Sequence, residues 1–384
     1  MPGFTSLDDL INEMTVNSQF YRQDWQKSFL PTTAAVAGEW FSLQRGGGNP
    51  GADSIMNTGT NLTFQQLFDS TIAASSIQHG GSVSPAYKHI LNASAFTAAA
   101  TVAPCIMMLV DLLGFYRVTS VTTITAQATT NTLFAFSNFT VDATTDIVTH
   151  TNINLMHLSP IQVSTTTTLP GGLAAATNYF VIKLTDTTCK LATSYANAVA
   201  GTAIDITSVG SGTHTINTLL PRYTNGAGVQ AYMVNTNATA LGAATPNLSI
   251  GYTNSTATAS RATPATLPVG KTAAANGLIL YSGTGVGKFG PFLPLQGGDS
   301  GIQSIQTIQN STSYVSGEYS VVLCKPILTL PITTLGVMAE RDLVNQVPSM
   351  PRVYDGACLN WLIYNGAATP INSAINGHID FAWG

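Results

Sequence analysis

Residues 153–216 read INLMHLSPIQVSTTTTLPGGLAAATNYFVIKLTDTTCKLATSYANAVAGTAIDITSVGSGTHTI, and this stretch decides the fold class. It divides into five short pieces, INLMHL, NYFVIKL, TCKLA, TAIDIT and THTI, separated by Gly, Pro and Asn. Branched Thr and Ile side chains fit a pleated surface better than a helix. Short strands at roughly ten-residue spacing predict a small β-sandwich or β-barrel. The segment 151–215 is therefore expected to be a small β insertion or a projecting domain.

The same texture extends outward. VQAYMVN, NLSIGYTN, GLILY, IQSIQTI and GEYSVVLCKPILTL make 216–338 a β domain that could complete an earlier one. Residues 31–150 read as mixed, mainly β. GEWFSLQ is a strand ending at the Gly-rich loop RGGGNPG, and NLTFQQLF is a further candidate. The apolar run Leu91–Leu113 fits either a buried helix or a buried strand, and Pro104 spoils a continuous helix.

The N-terminal segment, 1–30, carries the clearest helical signal, over residues 7–29. Leu7, Leu10, Ile11 and Met14 recur at helical spacing, Ser6 stands at the N-cap position, and Asp8 and Asp9 fall in the first turn. Its second part, QFYRQDWQKSF, fits a helix or an arm lying on a neighbour. The last segment, 339–384, is aromatic-rich and ends IDFAWG. It is expected to dock, either on its own domain or on a neighbouring subunit. The fold class is mainly β, with β-sandwich or jelly-roll-like domains and a short N-terminal helix or arm.

Composition bears on function. Only 8% of the 384 residues are charged, with a net charge of −4, against about 25% in ordinary soluble domains. Such a surface repels its own copies weakly, so burial in a stable assembly is expected. With 14 basic residues and no dense cluster beyond the region of Arg22 and Lys27, specific nucleic-acid binding is disfavoured. The opening MPGFTSLDDL has no basic region before an apolar run, which predicts no signal peptide. The longest apolar run, Pro104–Leu113, is too short to span a bilayer.

Chemistry-bearing motifs are weak. GTGVGKFG, Gly283–Gly290, imitates a phosphate loop, but Ser282 stands where the first glycine belongs and Phe289 replaces the metal-binding hydroxyl. Arg45 beside three glycines could hold a phosphate, although a loop anchor is the commoner role. GGDSG, Gly297–Gly301, would need a histidine and an acid beside Ser300 to make a nucleophile. Asp142 and Asp146 in DATTD are too sparse for a recognised calcium loop. His79, His89, His150, His157, His214 and His378 are scattered, and Cys105, Cys189, Cys324 and Cys358 show no CxxC spacing. No catalytic, cofactor-binding or metal-ligating residue is assigned, no cofactor is expected, and the chain reads as a non-enzyme.

Residues 169–216 resemble a small β-rich module found inside many bacteriophage virion proteins. The resemblance is carried by LPGGLAAATNYFVI, TTCKLATS and AIDITSVGSGTHT. Less specifically, HGGSVSPAYKHILNA, GPFLPLQGGDSGIQSIQ and AERDLVNQVPSMPRVYDGACLNWL look like parts of phage structural proteins. The resemblance implies a virion protein of the tail, fibre or head surface, and marks the virion better than a location in it; the leading reading is a capsid-associated shell or decoration component, located in the head and made in the host cytoplasm. Its partners would be copies of itself and the major capsid or other virion proteins. The alternative is a tail, baseplate or receptor-binding protein that meets a host surface glycan. The family implies no catalytic residue.

Overall fold

The computed structural model describes residues 3–29, 37–53, 55–57, 61–69, 74–99, 102–119, 126–129, 136–151, 155–236, 246–264, 267–268, 277–279, 290–314, 316–366 and 373–384. The chain is mainly β with a short N-terminal helix, α1 (Leu7–Thr15). Ser6 caps α1, its hydroxyl accepting from the Asp9 N–H at 3.0 Å. The helix stops at Thr15. The next segment, β1 (Phe20–Phe29), is a strand, so the helical reading of 7–29 holds only for its first half.

β1 belongs to an antiparallel front sheet ordered Ala339–Asp342, Lys88–Phe96, Ser373–Trp383, β1 and Gly48–Asn49. Behind it lies a middle sheet ordered Gln230–Asn235, Tyr319–Ile332, Cys105–Val118, Leu359–Asn365 and Trp40–Ser42. The apolar run around Pro104 is thus two buried strands, one in each sheet. Leu278 bridges to Phe41 and Ile279 to Val234, so this short segment links the two edges of the middle sheet. A third sheet is built on Asn247–Asn254 and Ile302–Asn310.

The middle sheet is apolar on both faces, as a sheet covered on both sides must be. Met107, Leu109, Trp361 and Ile363 share one core with Trp25, Ile375 and Phe381 of the front sheet and Ile250 and Ile305 of the third. Val110, Leu112, Tyr232, Val322 and Leu362 fill the other core with Trp40 and Ile279. The C-terminal segment supplies a strand to both the front and the middle sheet.

The expected small β unit is a closed six-stranded barrel of Pro160–Thr165, Tyr179–Lys183, Thr188–Ala192, Ile147–His150, Phe136–Asp142 and His214–Thr218. Its first two strands lie N-terminal to 151. Within the deciding stretch, NYFVIKL, TCKLA and THTI form strands. TAIDIT and the described part of INLMHL, residues 155–158, do not, while IQVST does. The barrel has its own core around Val148, Val181, Leu191 and Ile216. It meets the main body where Phe68 packs against Leu158, Ala192 and Ala198.

One buried ion pair ties the chain's return from the barrel to the middle sheet. Arg222 donates to both carboxylate oxygens of Asp111, at 2.8 and 2.7 Å, and to the Leu67 and Leu112 carbonyls. Asp111 also accepts the Cys358 N–H at 2.9 Å. A buried charge survives only when paired and hydrogen-bonded in this way.

Candidate interaction face

The front sheet turns its inner face to the core and its outer face to the surface. Along β1 the side chains alternate accordingly: Trp25 and Lys27 are buried, whereas Arg22, Asp24 and Gln26 are exposed. Lys27 donates to the Gly46 and Gly51 carbonyls, and burial pulls its ammonium down to about 7. Outside, Arg22 grips Asp380 with two bonds of 2.6 and 2.8 Å. Asn92 donates to Glu340 at 2.7 Å, and His378 bonds Ser94 at 2.8 Å.

α1 crosses this outer face. Leu10 is buried against Leu91 and Ala382, but Leu7 and Ile11 stay exposed. A groove of about 390 Å³ runs between the helix and the sheet, floored by Met14, Phe20, Leu91 and Val344. A second, of about 420 Å³, is lined by Asp24, Gln26, Phe96, Met338 and Asn376. A third, of about 280 Å³, lies beside Leu330, Val337, Met338 and Val347.

These grooves lie among unusually exposed apolar groups. Twelve large apolar side chains are exposed among the described residues, and six of them, Leu7, Ile11, Phe20, Val337, Met338 and Val347, line these grooves. Leu7, Ile11 and Phe20 lie on or just after α1; Val337, Met338 and Val347 lie on the two connections flanking Ala339–Asp342. Isolated exposed apolar residues are ordinary, but a concentration of them marks a contact surface. Sequence reading found the α1 periodicity but not the Val337–Met338 contribution, because LGVM lacks any period to assign to a face.

The residues singled out by motif go elsewhere. Arg45 is buried and donates to the Asp53 and Thr236 carbonyls, at 2.5 and 3.0 Å, as a loop anchor. In GGDSG, Asp299 accepts from Tyr252, Asn254 and Arg261 at 2.6, 2.7 and 3.0 Å. The Arg261 and Tyr252 donors hold its carboxyl down to about 2. The Ser300 hydroxyl bonds that of Ser255 at 3.0 Å, and among the described residues no histidine or acid hydrogen-bonds it. Asp142 caps Thr144 of its own turn, whereas Asp146 accepts from Ile206, so the two carboxylates serve separate turns.

The histidines also part company. His79 lies between Lys88, at 2.9 Å, and the Ala357 carbonyl, at 3.1 Å. His89 bonds the Met350 carbonyl, His150 that of Thr151, and His214 bonds Thr165 and Val209. His157 lies 3.4 Å from the Lys183 N–H. No group of three or more potential metal ligands occurs among the described residues. All four cysteines are buried, and burial pushes the Cys105 and Cys189 thiols up to about 12. Most of GTGVGKFG lies outside the described residues. Among those described, no helix is long and apolar enough to cross a membrane.

No family model matches the chain, and no curated protein matches it. Among solved structures, the crystal structure of the infectious bursal disease virus VP2 subviral particle matches at 11% identity, over 80% of this chain and 83% of that one. The TM-score is 0.12. At that score the two backbones do not superpose usefully, and the match carries no inference about this chain.

Proposed function

We propose that this chain is a non-enzymatic structural protein of a bacteriophage virion, associated with the head as a shell or decoration subunit. The observation that carries the assembly reading is the apolar border of the front sheet. Six exposed apolar side chains line the grooves of this face, on which Arg22 and Asp380 pair with each other. Covering such a face with protein releases water from apolar surface. The low total charge favours the same outcome. Virion membership rests on the resemblance of residues 169–216, and head placement on the shell-like economy of repeated symmetric contacts.

The test is cryo-electron microscopy of intact virions with density matched to this chain. Density at regular lattice positions on the head, with the front sheet facing a neighbour, is the expected result. Density confined to the tail or baseplate overturns head placement and favours host attachment. The partner there would be a tail protein or a surface glycan.

A further inference from the structure

Five of the seven arginines are bound to a carboxylate: Arg22 to Asp380, Arg45 to Asp53, Arg117 to Glu318, Arg222 to Asp111 and Arg261 to Asp299. Arg341 and Arg352 have no such partner among the described residues. Of these two, Arg352 is held in place by other means. The short strand Arg352–Val353 pairs with His89 and Lys88 at the edge of the front sheet. The Arg352 guanidinium lies over the rings of Tyr87 and Tyr354, 3.5 and 4.3 Å from their centroids. Tyr354 packs edge-on to Tyr223 at 5.0 Å, and the Lys325 ammonium sits over the Tyr223 ring at 5.6 Å.

This stack fixes the guanidinium and leaves its hydrogen-bonding capacity unused. The Nε–H is sealed beneath its surroundings without a partner, whereas the two terminal nitrogens are not sealed. They too bond nothing among the described residues, and Arg352 is only partly buried. The hydroxyls of Tyr87, Tyr223 and Tyr354 likewise make no hydrogen bond there. Lys325 donates to the Ala227 carbonyl alone, at 2.9 Å. The acid closest in sequence, Asp355, is already engaged by the Ser82 hydroxyl and the Val83 and Ser84 N–H groups. Donors therefore collect around Arg352 with no acceptor from their own chain. Cation–π attraction accounts for the stacking, but not for a guanidinium whose outer end is left open. That end presents two parallel N–H groups, the spacing that matches two oxygens of a carboxylate or a phosphate.

We propose that Arg352 is an oxyanion-binding residue. Its terminal nitrogens take two oxygens of a carboxylate or phosphate group end-on, and Tyr87 and Tyr354 hold the fork in position. Because the rings have already removed much of the side chain's freedom, binding has less ordering to overcome. Lys325, beyond Tyr223, adds to the positive potential at the site. An acidic side chain and a free or esterified phosphate present the same paired oxygens, so both belong to the ligand class.

Inorganic phosphate is the probe, followed by equilibrium dialysis of radiolabelled phosphate against the full-length chain, with ionic strength held constant by sodium chloride. One saturable site with a Kd on the order of 1 mM is expected. Displacement by acetate defines a site open to carboxylates, and failure of acetate to displace defines one selective for phosphate. Arg352→Gln should abolish the binding. Arg352→Lys, which keeps the charge and loses the planar fork, should weaken it at least about tenfold. Arg341→Gln, at the other arginine without an ion pair, should leave it unchanged. Circular dichroism shows which variants are folded. Absence of saturable binding to the wild-type chain overturns the proposal without recourse to any variant. So does binding unchanged in a folded Arg352→Gln or Arg352→Lys chain, or an equal loss in Arg341→Gln. The assembly reading does not depend on any of these results.

Discussion

The Asp111–Arg222 pair offers the sharpest test of how the barrel and the middle sheet are joined. Asp111→Asn keeps the shape and removes the charge. The carboxylate accepts three hydrogen bonds, two from Arg222 and one from the Cys358 N–H. Both side chains are almost fully buried, at 3% and 0% exposure. The variant leaves the guanidinium in a dry site without a counter-charge: one amide oxygen can still accept, but the amide NH2 that replaces the other oxygen faces a donor, and the Leu67 and Leu112 carbonyls are neutral. Removing one partner of a buried pair costs about 3–5 kcal/mol. That exceeds the roughly 1.5–3 kcal/mol of one charged hydrogen bond, because the remaining charge stays desolvated. Urea unfolding followed by tryptophan fluorescence measures it, since Trp25 and Trp361 sit in the shared core. The double variant Asp111→Leu with Arg222→Met removes both charges and should recover most of the loss. Asp186→Asn, at the exposed Lys183 pair, is the control and should change nothing measurable. A loss below about 1 kcal/mol for Asp111→Asn, or a double variant no better than the single, refutes the argument that an uncompensated buried charge sets the cost.

Other outcomes follow from the same structure. The Asp299 carboxyl is held at about 2, below its ordinary 3.8. It therefore contributes stability above pH 4 that is lost as pH falls through about 2, and Asp299→Asn should flatten the wild-type decline in melting temperature across that window. The Lys27 ammonium is lowered to about 7 from 10.5. Between those values the unfolded chain holds a proton that the folded chain lacks, so stability rises with pH; Lys27→Met should abolish that rise in denaturation curves from pH 7 to 10. Gly377 lies opposite Trp25, and a Cβ there would sit 2.0 Å from the Ser94 carbonyl oxygen and 2.7 Å from the Trp25 ring. Gly377→Ala should lose about 1–3 kcal/mol, and an unchanged urea midpoint would contradict that close fit.

Much of the β content was legible because strand patterning is local. VQAYMVN, NLSIGYTN and GEYSVVLCKPILTL lie in strands, and β-branched residues between turn formers sufficed to find them. β1 was misread for a physical reason. Tyr21 and Trp25 are four residues apart, a spacing that falls on one face of both a helix and a strand. The polar inward residue Lys27 hid the alternation, because its solvation comes from Gly46 and Gly51 carbonyls contributed by another segment. TAIDIT has strand composition but lies outside the barrel's ladders, whereas Phe136–Asp142 completes them. Barrel closure depends on which segment reaches the open edge, and local propensity carries no information about that.

The sequence by itself determined that the chain is mainly β, capped by a short helix at Ser6, sparsely charged and without a recognisable catalytic motif. Each of those properties resides in single residues or in spacings of a few residues. Tertiary structure alone decided that Arg45 anchors a loop, that Asp299 serves Arg261 and Tyr252, that Asp111 meets Arg222, and that exposed apolar groups from α1 and from Val337–Met338 line the grooves of one face. Those relations join residues far apart in the chain. They arise because strand pairing and the exclusion of water from a shared core bring distant segments together, and no local pattern encodes which distant partner a side chain will find.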